Sequence, residues 1–159
     1  MARIIPGDNM SQVYGFSGAA KGEMASAVYY RMQSTGKYEK ALSITLQNPI
    51  APLFAALADS GELVTLDNWH NAGIGKHVIA LYAATGKHVR SYALADIYSK
   101  EEISKFEFSA SSIYWRCHTP PFFDGHAGVL EIQDRLGANL EVNLKTGALI
   151  RTPGAGKPC

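Results

Sequence analysis

Residues 61–94, GELVTLDNWHNAGIGKHVIALYAATGKHVRSYAL, carry the reading that decides the fold. Leu63-Val64-Thr65-Leu66 and Val78-Ile79-Ala80-Leu81-Tyr82 are short apolar runs, rich in β-branched residues and bounded by turn residues. Runs of that length and composition predict strands. The turn Ala83-Ala84-Thr85-Gly86-Lys87 leads into a third strand over 88–94 and closes a hairpin. Between the first two strands stands an unusual polar run, Asp67-Asn68-Trp69-His70-Asn71, followed by Gly73-Ile74-Gly75.

The same rhythm extends upstream. Residues 53–58, LFAALA, lie between Pro52 and Asp59-Ser60-Gly61, a span that favours a strand over a helix. Residues 27–32 and 38–46 flank the turn Gln33-Ser34-Thr35-Gly36-Lys37, with Leu42, Ile44 and Leu46 on one face at period two. Asn48-Pro49 and Pro52 then break the strand. The turn glycines Gly36, Gly61 and Gly86 recur every 25 residues. Two hairpins in twice that length match the size of one four-stranded propeller blade.

Downstream, Ser99-Lys100-Glu101-Glu102 fits a capping box and predicts one short helix over 100–106. Strand character resumes over 108–117, 129–132, 140–144 and 148–150. The expected fold is all-β: antiparallel hairpins resembling propeller blades, with one short helix near 100–106. The chain holds about three blades, and a closed propeller takes at least four. The expected outcome is a partial propeller, a twisted sheet stack, or a form completed by a second copy, since an open sheet edge invites pairing. Residues 1–23 read as a flexible N-terminal segment with a short strand at Val13, Tyr14 and Phe16. Residues 24–151 read as a single β domain, and 152–159 as a C-terminal tail without core signal.

The totals exclude several function classes. A chain of 159 residues is about one domain. Apolar residues make up 47% and charged residues 18%, which disfavours disorder. The net charge is +1 and the Lys and Arg residues are scattered, so no patch is set to neutralise several phosphates. No apolar run approaches the length of a membrane span. Residues 1–10, MARIIPGDNM, contain no apolar signal-peptide segment, which leaves a cytoplasmic and a processed, exported setting both open.

Few residues suggest chemistry. Gly73-Ile74-Gly75-Lys76 lacks the spacing of a phosphate-binding loop. Ser109, Ser111 and Ser112 sit in no nucleophile elbow, and local backbone bonds account for them. Asp67, Asn68, Trp69, His70 and Asn71 combine an indole, an imidazole, a carboxylate and two amides, a set suited to a polar ligand. The plainer account is a turn closed on itself by Asp and Asn, with Trp69 covering the core edge. Trp115 and Arg116 form a possible stacked pair or partner anchor, against a plainer role for Trp115 in the core. A metal reading would use His70 with His118, Asp124 and His126, as zinc accepts such ligands. Their spacing matches no established motif, and no cofactor is expected. Cys117 and Cys159 either pair, tethering the tail for about 3–5 kcal/mol, or remain free thiols.

Residues 48–117 resemble a group of uncharacterised bacterial proteins. The marks are Thr65 to Lys76 (TLDNWHNAGIGK), the hairpin from Tyr82 to Leu94, and Ser111 to Cys117 (SSIYWRC). Proteins of that group look like exported β-rich domains, so the resemblance implies a periplasmic or secreted setting and favours the Cys117–Cys159 pair. It implies no catalytic residue. The expected function is a non-catalytic binding module of the envelope, with an unknown protein or glycan as partner. A metal-assisted hydrolase and a self-assembling structural β protein, forming homo-oligomers, are the alternatives.

Overall fold

The computed structural model describes residues 1–9, 21–156, 158 and 159. The expected strand at Val13, Tyr14 and Phe16 lies outside them. The fold is all-β and antiparallel throughout. The first sheet joins β1 (Ala2–Ile5), β2 (Ser26–Met32) and β3 (Tyr38–Thr45) in chain order. A second joins β4 (Phe54–Leu57), β5 (Leu63–Leu66), β6 (Ile79–Tyr82) and β7 (His88–Tyr92). A 3₁₀ turn (Leu94–Asp96) and the helix α1 (Lys100–Ile103) follow. A small hairpin pairs β8 (Glu107–Phe108) with β9 (Ile113–Tyr114). The last sheet joins β10 (Phe122–Asp124), β11 (Val129–Gln133), β12 (Asn139–Asn143) and β13 (Leu149–Thr152), again in chain order.

The second sheet is the middle layer. Every residue of β5 and β6 is buried. Because side chains alternate along a strand, Leu63, Ala80 and Tyr82 pack with Ala27, Tyr29 and Ile44 of the first sheet. Val64, Leu66, Ile79 and Leu81 pack on the opposite side with Leu130, Ile132, Leu140 and Val142 of the last sheet. Burial on both faces explains why LVTL and VIALY read as continuous apolar runs without polar alternation. Each fully buried Leu, Ile or Val contributes about 1.5–3 kcal/mol. Tyr92 ties two layers together, its hydroxyl donating to the Gly147 carbonyl at 2.6 Å.

The 25-residue spacing marks one repeated turn. At Gly36, Gly61 and Gly86 the chain closes with the same two backbone bonds, and each glycine has a positive φ. In each, the glycine amide donates three residues back, as in Gly36 to the Gln33 carbonyl at 2.9 Å. This is the three-residue hairpin loop that needs glycine in the left-handed region. The three turns hold different places in their sheets. Gly36 joins β2 to β3, Gly61 joins β4 to β5, and Gly86 joins β6 to β7.

Two expectations need correction, at the N-terminus and over 108–117, while the short helix and the Cys117–Cys159 disulfide stand as expected. Residues 2–5 are no flexible segment: they form β1, paired with β2 from Ala2↔Tyr29 to Ile5↔Ser26. The Gly7 amide donates to the Ile50 carbonyl, and Asp8 Oδ1 accepts from the Glu23 amide at 2.7 Å. An edge strand takes its hydrogen bonds from a distant partner, which the local sequence does not reveal. The helix keeps the expected capping box of Ser99 and Glu102 but spans a single turn, and Phe106 beyond it enters the core. Residues 108–117 are no continuous strand, because Ser109 and Ser112 close the β8–β9 hairpin. The tail is docked: Thr152 ends β13, the Gly156 amide donates to the Gly137 carbonyl, and Cys159 is disulfide-bonded to Cys117, 42 residues earlier.

Candidate functional site

The loop 67–76 leaves β5 at Asp67, the point on which the surrounding structure converges. Asp67 takes φ +58, a left-handed conformation that Asp tolerates better than most side chains. Only 2% of it is exposed. Its Oδ1 accepts from the Gly73 amide at 2.9 Å and from the Trp115 indole Nε1 at 2.8 Å. Its Oδ2 accepts from Arg116 Nε at 3.0 Å. Its backbone carbonyl accepts from Asn48 Nδ2 at 2.6 Å. A buried carboxylate is tolerated where its lone pairs are used and a counter-charge is at hand, and Asp67 has both.

The remaining loop residues divide into buttress and display. Asn68 is buried; its Nδ2 donates to the Trp69 carbonyl and to Asn71 Oδ1, each at 2.7 Å. Its Oδ1 accepts from the Ile50 amide at 3.3 Å. Gly73, at φ +70, abuts the 113–115 segment: a Cβ there would fall 2.5 Å from the Ile113 carbonyl oxygen. Trp69 and His70, by contrast, project outward. Trp69 is 51% exposed, and its ring centroid lies 3.7 Å from that of His70, which takes φ +77. Exposed Ile74 belongs to the same loop.

Asp67, Trp115 and Arg116 therefore meet, although they lie far apart in sequence. Trp115 is 1% exposed and belongs to the main core cluster. Its position follows from its body packing on apolar side chains while its N–H finds a buried acceptor. Arg116 is 19% exposed at the side chain and joins Asp67 to the last sheet through a bridge with Asp134. Asp134 is a second buried hub. It accepts from the Leu136 and Ala138 amides and from the Tyr98 hydroxyl, with Arg151 nearby.

The proposed metal set is not assembled. Among the described residues no three His, Cys, Asp or Glu side chains gather in metal-binding proximity. His118 lies against Arg135, 3.2 Å from an Nη. Asp124 caps its own turn through the His126 and Ala127 amides. His126 lies 3.9 Å from Asp59, and the His70 ring lies tilted at 52° against that of Trp69. His70 belongs to the 67–76 loop, while the others are distributed by β10 and the 113–118 segment, so loop proximity in sequence does not become proximity in space.

Two cavities flank the loop. One, about 260 Å³, is lined by Asp67, Ala72, Trp115, Arg116 and His118 among others. The other, about 300 Å³, is lined by Gln47, Asn48, Asn68, Asn71, Lys76 and His77 among others. Burial, with the neighbouring His88 and Lys76 adding to it, lowers the His77 pKa below the ordinary histidine value. A third cavity, about 790 Å³, lies between β2 and the turn at Gly61 and takes no described residue from the loop. Asn48 is the functional candidate that sequence reasoning missed. It reads in sequence only as the polar residue before Pro49, and its role depends on a carbonyl 19 positions away.

Compared with protein-family models, with curated proteins and with solved structures, the chain matches none.

Proposed function

We propose that the protein is a non-catalytic binding module of the bacterial envelope or secreted space, and that it meets its partner with the loop 67–76. One contrast carries the reading. Asp67 is buried and holds three side-chain hydrogen bonds, yet Trp69, two residues on, is half exposed beside His70. An indole left in water forfeits burial worth about 1.5–3 kcal/mol. Held on a loop fastened at Asp67 and Asn68 by hydrogen bonds, it has less entropy to lose on binding, and Trp is a frequent interface anchor. The Cys117–Cys159 disulfide fits an oxidising compartment, where such bonds persist. No described helix is long and apolar enough to cross a membrane.

The test is the double substitution Trp69→Ala with His70→Ala. Wild-type protein captures a stoichiometric partner from envelope extract, and the folded double variant binds that purified partner at least tenfold more weakly. Unchanged affinity in a folded double variant removes this loop as the binding surface.

A further inference from the structure

The cavity beside Asn68 has a chemical character of its own. Asn48 is 1% exposed and anchored through Nδ2 on the Asp67 carbonyl, while its buried Oδ1 has no hydrogen-bond partner among the described residues. An unmatched buried acceptor costs about 1–3 kcal/mol unless something donates to it. Asn71 presents the complement. Its Oδ1 is taken by Asn68 Nδ2, which leaves Nδ2 as the donor. Both open groups are neutral amides within one lining.

That pairing discriminates among ligand classes. Among the described residues no Asp or Glu lines the cavity, so they offer a cation no carboxylate. A phosphate or carboxylate only accepts hydrogen bonds, and would set its oxygens against the bare Asn48 Oδ1. A hydroxyl donates and accepts, and so matches both amides. A volume of about 300 Å³ lies at the small end of ligand sites. Trp69 follows Asn68 in sequence but is not part of that lining; its half-exposed indole lies against His70.

We propose that the cavity lined by Asn48, Asn71 and Lys76 is a saccharide subsite, in which Asn48 Oδ1 accepts from one ring hydroxyl and Asn71 Nδ2 donates to another. The proposal rests on the binding-module reading and names its ligand class. Lys76, in the same lining, extends the range toward acidic sugars.

The experiment screens the full chain against immobilised neutral and uronic-acid-containing oligosaccharides, then titrates isotope-labelled protein with the strongest hit. The expected result is binding, with shifts at the Asn48 and Asn71 side-chain amides. Asn71→Asp keeps the oxygen that Asn68 uses and replaces the donor with an acceptor, so it weakens binding about tenfold or more, the equivalent of one lost hydrogen bond near 1.4 kcal/mol. The wild-type shift map decides the matter even if that variant fails to fold. Saccharide binding with shifts confined to other surfaces overturns the subsite. No saccharide bound, with a captured partner still lost in the Trp69/His70 variant, overturns the ligand class and leaves the binding module standing. No saccharide and no loop-dependent partner overturn both.

Discussion

Asp67→Asn isolates the charge that holds the loop. Asn is nearly isosteric and tolerates the positive φ of this position. Its oxygen can retain the Gly73 amide and the Trp115 indole, which both use Oδ1. The amide nitrogen then occupies the place of Oδ2 and faces Arg116 Nε, donor against donor. A hydrogen bond between charged groups contributes about 1.5–3 kcal/mol, and separating a buried pair costs about 3–5 kcal/mol. Arg116 retains 19% exposure, so water compensates part of the loss. The expected destabilisation is about 2–3 kcal/mol, or a Tm lowered by about 4–12 °C for a chain of this size. Urea unfolding of Asp67→Asn, Arg116→Met and the double variant measures it, and the cycle yields a coupling of about 2 kcal/mol. A single-variant loss below about 0.5 kcal/mol, or additive single effects, would refute the claim that this pair anchors the loop.

Three further outcomes follow from the same packing. Reducing the disulfide lowers stability by about 4 kcal/mol on the chain-entropy model for this loop length, read by urea unfolding with and without reductant and by intact mass. Burial raises the phenol pKa of Tyr29 to about 12, helped by nearby Tyr82, and also raises those of Tyr82 and Tyr98. The unfolded chain releases these protons near pH 10 while the folded one holds them, so stability is full below pH 10 and falls as pH rises toward 12. Absorbance titration against unfolding curves checks the sign, and stability that rises above pH 10 would contradict it. The two tryptophans should separate cleanly: Trp115→Ala costs about 3–5 kcal/mol, whereas Trp69→Ala stays within about 1 kcal/mol.

The strands of the middle sheet were legible because their signal is local. A run buried on both faces leaves no polar alternation, and Gly36, Gly61 and Gly86 mark turns that only a positive φ can close. The Ser99–Glu102 box was legible for the same reason, since all its partners lie within one turn. β1 was not, because an edge strand of ordinary composition is defined by the strand it joins.

The site divides along the same line. Local sequence determined that 67–71 would be a turn rich in hydrogen-bonding groups, and it named Asp67, Trp69 and Trp115 together as candidates, with a core role as the plainer account of Trp115. Tertiary structure decided between them. Asp67 and Trp115 lie 48 positions apart, and only the stacking of the sheets brings the indole N–H to the carboxylate. Once that bond and Arg116 satisfy the buried charge, Asp67 and Trp115 are spent on holding the fold, and the exposed indole of Trp69 is left to face solvent. Hydrogen-bonding capacity is a property of a residue, but burial and the identity of the partner are properties of the packed molecule.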